Sequence, residues 1–115
     1  MRDRHVGSAL RLIHSRPREG WTVDGLARQV GLSRSVFADR FADLVGLTPM
    51  NYVGRWRMQL AARILEDRSA SVAQAAAAVG YESEAAFRRA FHKVVGRSPA
   101  AWRKREAAPV LAVAS

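Results

Sequence analysis

Nineteen of the 115 residues are basic against ten carboxylates, and only two of the nineteen, Lys93 and Lys104, are lysine. The formal charge is +9 with histidine neutral. A guanidinium offers five N–H donors in a rigid fork that suits phosphate and the guanine edge alike, so this balance points to a polyanion as partner. Other chemistries are harder to assemble. The chain has no cysteine, which excludes disulfides, thiolate zinc sites and a thiol nucleophile. His5, His14 and His92 stand far apart without HExxH-like spacing, so neither a metal nor another cofactor is expected. Glycines are not grouped into a nucleotide-binding loop, and no Ser–His–acid set or carboxylate pair can be inferred, so no enzyme is expected. The longest apolar stretch, residues 75–80, is far too short to span a bilayer. The basic start, MRDRHVGSAL, lacks the apolar run of a signal peptide. A cytoplasmic protein that does not engage membranes is the expectation.

What would position the arginines is visible when the chain is compared with itself. Residues 23–31 read VDGLARQVG and residues 72–80 read VAQAAAAVG. Val23, Ala27, Val30 and Gly31 fall on Val72, Ala76, Val79 and Gly80. One residue is then gained, and Phe37, Phe41, Val45, Gly46 and Pro49 fall on Phe87, Phe91, Val95, Gly96 and Pro99. A length change is tolerated in a turn but would rotate the apolar face of a helix. The repeat therefore consists of two helices with a turn between them, twice over.

Each copy carries its own punctuation. Thr22 is a plausible cap for a helix with Val23, Leu26, Ala27 and Val30 on its inner face, and Gly31 stops it. Ser33 caps a second helix whose expected stripe is Val36, Phe37, Phe41, Leu44 and Val45, stopped by Gly46. In the second copy Ser71, the face Val72, Ala75, Ala76 and Val79, and Gly80 play the first part. Ser83, the stripe Ala86, Phe87, Phe91, Val94 and Val95, and Gly96 play the second. Helices of about eight and twelve residues joined by a short turn opening on glycine form the helix-turn-helix pattern.

Three more helices are expected. Residues 4–15 place Val6, Ala9, Leu10 and Ile13 on one side. Thr48 and Pro49 start a long helix whose inner face is Tyr52, Val53, Trp56, Leu60, Ala61, Ile64 and Leu65. At 1.5 Å per residue its roughly eighteen residues reach about 27 Å, a strut joining the two units, with Trp56 packed against both. Ser98 and Pro99 start a last short helix through Trp102. The expected protein is all-α with about seven helices. It divides into a first helix-turn-helix subdomain (1–47), a linker helix (48–67), a second subdomain (68–106) and a disordered tail (107–115).

The wording of these segments resembles the DNA-binding domain of the AraC/XylS family of bacterial transcription regulators, over roughly residues 5–105. MNYVGRWRMQLAARIL is similar to the family's linker helix, and GYESEAAFRRAFHKVVGRSPAAWRK to its second-unit signature. LSRSVFADRF and RWRMQLAARIL are similar to the branch whose members carry a cupin-type effector domain in front of this one. That leaves two readings open, a fragment of a longer regulator or a stand-alone short one. The resemblance implies a double-stranded DNA partner, bound by a monomer whose two recognition helices enter successive major grooves, unless an N-terminal domain dimerises it. It also implies an activator that contacts RNA polymerase.

Matched residue by residue, the resemblance places Glu84, Ala85, Arg88 and Arg89 at groove-facing positions of the second recognition helix. Arg89 is the favoured base reader, because a guanidinium bonds guanine O6 and N7 together. Arg88 would do the same or hold phosphate. Glu84 would favour the helix dipole or accept from a cytosine amino group. On the first recognition helix Ser35, Ala38 and Asp39 match groove positions, and Arg34 is a candidate for base or phosphate. Asp39 stands where many relatives carry a basic residue, so this helix is expected to position more than to read directly. Candidate phosphate contacts are Arg28, Arg55, Arg57, His92, Lys93, Arg97, Arg103 and Lys104. The competing function is a protein-interaction or inhibitory regulator that keeps the fold with weak DNA affinity. RNA binding is disfavoured, since the aromatics fall on core faces.

Overall fold

Helix ends are set locally in this chain. A computed structural model describes residues 3–105, and the regular elements within them are seven α-helices. The expected tail at 107–115 lies outside the described residues. α1 (Arg4–Ser15) starts on Asp3, whose carboxylate accepts from the backbone N–H groups of His5 and Val6. α2 (Val23–Val30) starts on Thr22 and α3 (Arg34–Val45) on Ser33, each hydroxyl accepting from the N–H three residues on. α4 (Pro49–Glu66) runs unbroken for 18 residues from a proline that lacks the N–H a first turn leaves unused. Ser71 and Gln74 close a capping box at the head of α5 (Val72–Ala78). Ser83 caps α6 (Glu84–Val95), and Ser98 caps α7 (Pro99–Arg103).

The turn inside each repeat depends on a residue with positive φ. Gly31 sits at φ 76° and Gly80 at φ 89°. A Cβ in this left-handed region meets the following carbonyl, so only glycine enters it cheaply. From Gly31 and Gly80 the chain turns within three residues into Ser33 and Ser83, the caps of α3 and α6.

The described residues pack as two units that divide inside α4, after Trp56. In residues 3–56, Val6, Ala9 and Ile13 of α1, Leu26 and Ala27 of α2, Phe37 and Phe41 of α3 and Val53 of α4 form one buried cluster. In residues 57–105, Met58, Ala61, Ala62 and Leu65 of α4 meet Ala75, Ala76, Val79, Phe87, Phe91 and Trp102. The ring pairs repeat as the sequence does: Phe37–Phe41 and Phe87–Phe91 both have centroids 5.7 Å apart.

Several expected core positions move. Val36, Leu44 and Val94 are exposed, Leu44 by 49%. Val36 is about 100° around the helix from Phe37, and in the last turns Val45 and Val95 take the inward place instead. Met58 and Ala62 were not expected inside, yet Met58 is fully buried. They complete an i, i+3, i+4, i+7 set with Ala61 and Leu65, which leaves Leu60 and Ile64 at its flanks. Trp56 is half-buried and packs on the first cluster, with the His14 ring 4.5 Å from it. His14 Nε2 and the Tyr52 hydroxyl share a 2.5 Å hydrogen bond, and burial pushes the Tyr52 phenol above its usual range.

Phe87→Ala should destabilise the second unit by about 3–5 kcal/mol, because it opens a large cavity in a closed core. Trp56→Ala should cost less, since part of its surface already faces solvent and its indole N–H has no partner among the described residues. Chemical denaturation followed by far-UV dichroism measures both.

Candidate nucleic-acid interface

Phenylalanines at positions 37, 41, 87 and 91 set the roll of α3 and α6, and the roll decides which side chains face out. On α6, Glu84, Ala85, Arg88 and Arg89 are all exposed, as are His92 and Lys93 one turn later. Arg88 does not stand free. Its Nε and Nη2 both donate to Glu84 Oε2, at 3.0 and 2.6 Å, closing an i, i+4 ion pair. Of the two adjacent guanidinium groups, only Arg89 has no side-chain partner among the described residues.

α3 presents a different face. Arg34, Ser35 and Asp39 are exposed, and Ala38 is half-buried. Arg34 reaches back to Asp24 of α2 at 3.4 Å, through a pair that is largely solvated on both sides. Arg40 lies 3.7 Å from Asp3, the residue that caps α1. Both cations of α3 are thus engaged within their own unit, while Asp39 and Asp43 remain exposed. α3 and α6 thus expose different charges.

Among the candidate phosphate contacts, Arg28, Arg55, His92, Lys93, Arg97 and Lys104 are exposed. Arg57 is half-buried with its guanidinium 5.9 Å from the centre of the Tyr81 ring. Arg103 has another task. Its Nε donates to the Leu65 carbonyl at 3.0 Å, and its Nη2 donates to the carbonyls of Asp67 and Ala70. The last carbonyls of α4 and the following turn are left without helical partners, and one planar guanidinium satisfies three of them. Arg103 is thus engaged through Nε and Nη2 within its own unit, unlike the exposed candidates.

Two further arginine roles were not visible in the sequence. Arg105 lies over the Trp102 ring at 3.3 Å, donates to the Trp102 carbonyl and approaches Glu66 at 3.7 Å. Arg40 supports the cap of α1. Arg40 and Asp3 are far apart in the chain with no regular spacing, and although Arg105 follows Trp102 by three residues, nothing in a single sequence sets that pair apart from other i, i+3 neighbours. Among the described residues no cluster of three or more His, Asp or Glu could hold a metal, and no helix is long and apolar enough to cross a membrane.

A family described as a helix-turn-helix domain matches residues 26–105. Over 102 residues the chain is 45% identical to a putative AraC-like transcription regulator of Streptomyces antibioticus, covering 89% of this chain and 34% of that protein. The DNA-binding domain of AdpA, a global transcriptional factor solved in complex with a target DNA, superposes with a TM-score of 0.81. It is 31% identical, with 86% of this chain and 89% of that one covered. The chain belongs to the AraC family of helix-turn-helix domains. An AraC-type structure from Chromobacterium violaceum, 26% identical, covers 91% of this chain and 94% of its own with a TM-score of 0.81. An AraC-like regulator of Streptomyces lividans is 43% identical over 93% of this chain and 35% of itself. The chain thus spans about a third of the length of these curated AraC-type relatives.

The Arg103 arrangement gives an outcome opposite to that of a surface cation. Arg103→Ala should lower the unfolding midpoint of the second unit, because the part-buried bonds to the Leu65 and Ala70 carbonyls lose their donor. It should leave the salt dependence of any polyanion binding unchanged. Asp67 in the same turn accepts from the Ser69 hydroxyl and N–H, with Arg103 nearby, and these hold its carboxyl below the usual range. The stabilisation is present above the unfolded carboxyl's pKa of about 3.9 and is lost as pH falls through the lower folded value. Asp67→Asn should flatten that part of an acid titration followed by dichroism.

Proposed function

We propose that this chain binds double-stranded DNA in a sequence-specific manner and serves as the DNA-binding part of a cytoplasmic transcription regulator. The observation that carries this reading is the exposed Arg89, without a side-chain partner among the described residues, on the outer side of α6, in a helix whose roll is held by Phe87 and Phe91. A guanidinium so placed suits the paired acceptors of guanine in a major groove. Family membership and the AdpA domain's complex with its target DNA support the same partner. The surplus of arginine supports phosphate contacts from Arg28, Arg55, Arg57, Arg97 and Lys104, with His92 and Lys93 flanking the reading face.

Two copies of one unit in a chain support binding by a monomer to an asymmetric site, one recognition helix to each of two successive major-groove segments. α6 carries the greater share of direct readout. α3, with Ser35, Ala38 and Asp39 outward and Arg34 paired to Asp24, contributes more to positioning. Activation through contact with RNA polymerase completes the proposal, after the family's usual mode. One observation favours a second reading, a protein-interaction surface with weak DNA affinity: Asp39 and Asp43, one turn apart on α3, are both exposed. A protein surface as partner would not show the steep logarithmic salt dependence of duplex binding.

Selection of bound duplexes from a random pool supplies the site, and hydroxyl-radical footprinting tests the geometry. A single chain should protect about 15–20 base pairs with two contacted segments about one helical turn apart on one face. A symmetric footprint formed only at two chains per duplex overturns the monomer. Arg89→Ala should lose about 1–3 kcal/mol of discrimination at one or two adjacent base pairs, with folding nearly unchanged. A uniform loss on every duplex would make Arg89 a phosphate clamp instead.

A further inference from the structure

Glu84 is the only carboxylate on α6, whose sequence is EAAFRRAFHKVV. It lies one helical turn from Arg88 and accepts from two of that guanidinium's donors through a single oxygen, Oε2. For a surface that gained affinity only by drawing in phosphate, this placement is counterproductive, since it cancels one of two adjacent positive charges. The other repeat lacks the device: the residues fifty positions earlier are Arg34 and Ala38, and Arg34 takes its carboxylate from α2.

The geometry of the pair says what it leaves available. A guanidinium has five N–H donors. Glu84 occupies the Nε–H and one Nη2–H, the side-on edge. Nη1 and the second Nη2–H remain, and these two nitrogens form the end-on fork that matches guanine O6 and N7. The pair as a whole carries no net charge. Arg88 can then contribute directed hydrogen bonds while adding little to the field that attracts any duplex.

We propose that Glu84 is a positioning residue for sequence specificity, which neutralises Arg88 and aims its free Nη edge at a guanine acceptor pair, so that Arg88 reads a base instead of gripping phosphate. The inference rests on the DNA-binding reading above. It separates the two arginines: Arg89 brings charge and readout together, and Arg88 brings readout with its charge cancelled.

The test uses the whole chain with the selected duplex, its single-base variants and a scrambled duplex, each over a range of salt concentrations. The proteins are wild type, Glu84→Gln, Arg88→Ala and the double variant, with dichroism confirming the fold. Glu84→Gln should bind the scrambled duplex several-fold tighter, with a log–log salt slope steeper by about one, as one more phosphate is engaged. It should also lose about tenfold of discrimination at a single guanine. In the Arg88→Ala background, Glu84→Gln should change neither quantity. The inference is overturned if Glu84→Gln shifts all duplexes equally at an unchanged slope, or if its effect persists without Arg88; Glu84 is then an ordinary solvated helix partner. Wild-type protein that binds no duplex in a salt-dependent way overturns the DNA reading and this inference together, a result distinct from the first two.

Discussion

Everything that can be said about the outer surfaces of α3 and α6 depends on two phenylalanines, four residues apart, buried on the inner side of each. Phe37 and Phe41, and again Phe87 and Phe91, are fully buried and in edge or tilted contact with neighbouring aromatic rings. A helix with two such side chains in a closed core cannot roll without exposing one of them, and each exposure would cost about 1.5–3 kcal/mol. The roll is therefore held, and with it the direction of every polar side chain on the helix. Glu84, Arg88 and Arg89 face solvent because Phe87 and Phe91 do not.

The same constraint explains why the repeat tolerates a one-residue difference only between its helices. Within α3 or α6 an added residue would turn the phenylalanines by about 100° out of the core. Between Gly31 and Ser33, or Gly80 and Ser83, it only lengthens a turn already opened by a left-handed glycine and closed by a serine cap. The helix-turn-helix unit is in this sense two local stop-and-start signals around one packed contact.

Arginine in this chain has several distinct physical roles, and total charge does not distinguish them. Arg103 satisfies carbonyls at the end of α4, Arg105 lies on an indole, and Arg40 supports the cap of α1. Arg34 and Arg88 are tied to carboxylates, and Arg89 has no side-chain partner among the described residues. The first two roles concern the stability of the second unit. The paired and free arginines on α3 and α6 differ in what they offer at an exposed face, because a compensated guanidinium directs hydrogen bonds while an uncompensated one also sets the field around it.

Among the described residues the sequence by itself determined the number and order of the helices, and their ends to within a residue or two, because caps, glycine stops and apolar periodicity act within a few residues of one another. Thr22, Ser33, Ser71, Ser83 and Ser98 all cap the helices their positions announced. It also determined which side of α6 faces outward, since that follows from Phe87 and Phe91 alone. Tertiary structure decided what lies at the edges of each apolar stripe. Met58 is inside, on the α4 face shared with Ala61, Ala62 and Leu65, and Leu44 is outside, where several faces of one helix were apolar enough to be candidates. It also decided which arginines are available. Arg103 and Arg97 look equivalent in the chain, and only folding brings the carbonyls of Leu65, Asp67 and Ala70 within reach of one of them. A contact between residues more than thirty apart leaves no periodic trace in a single sequence.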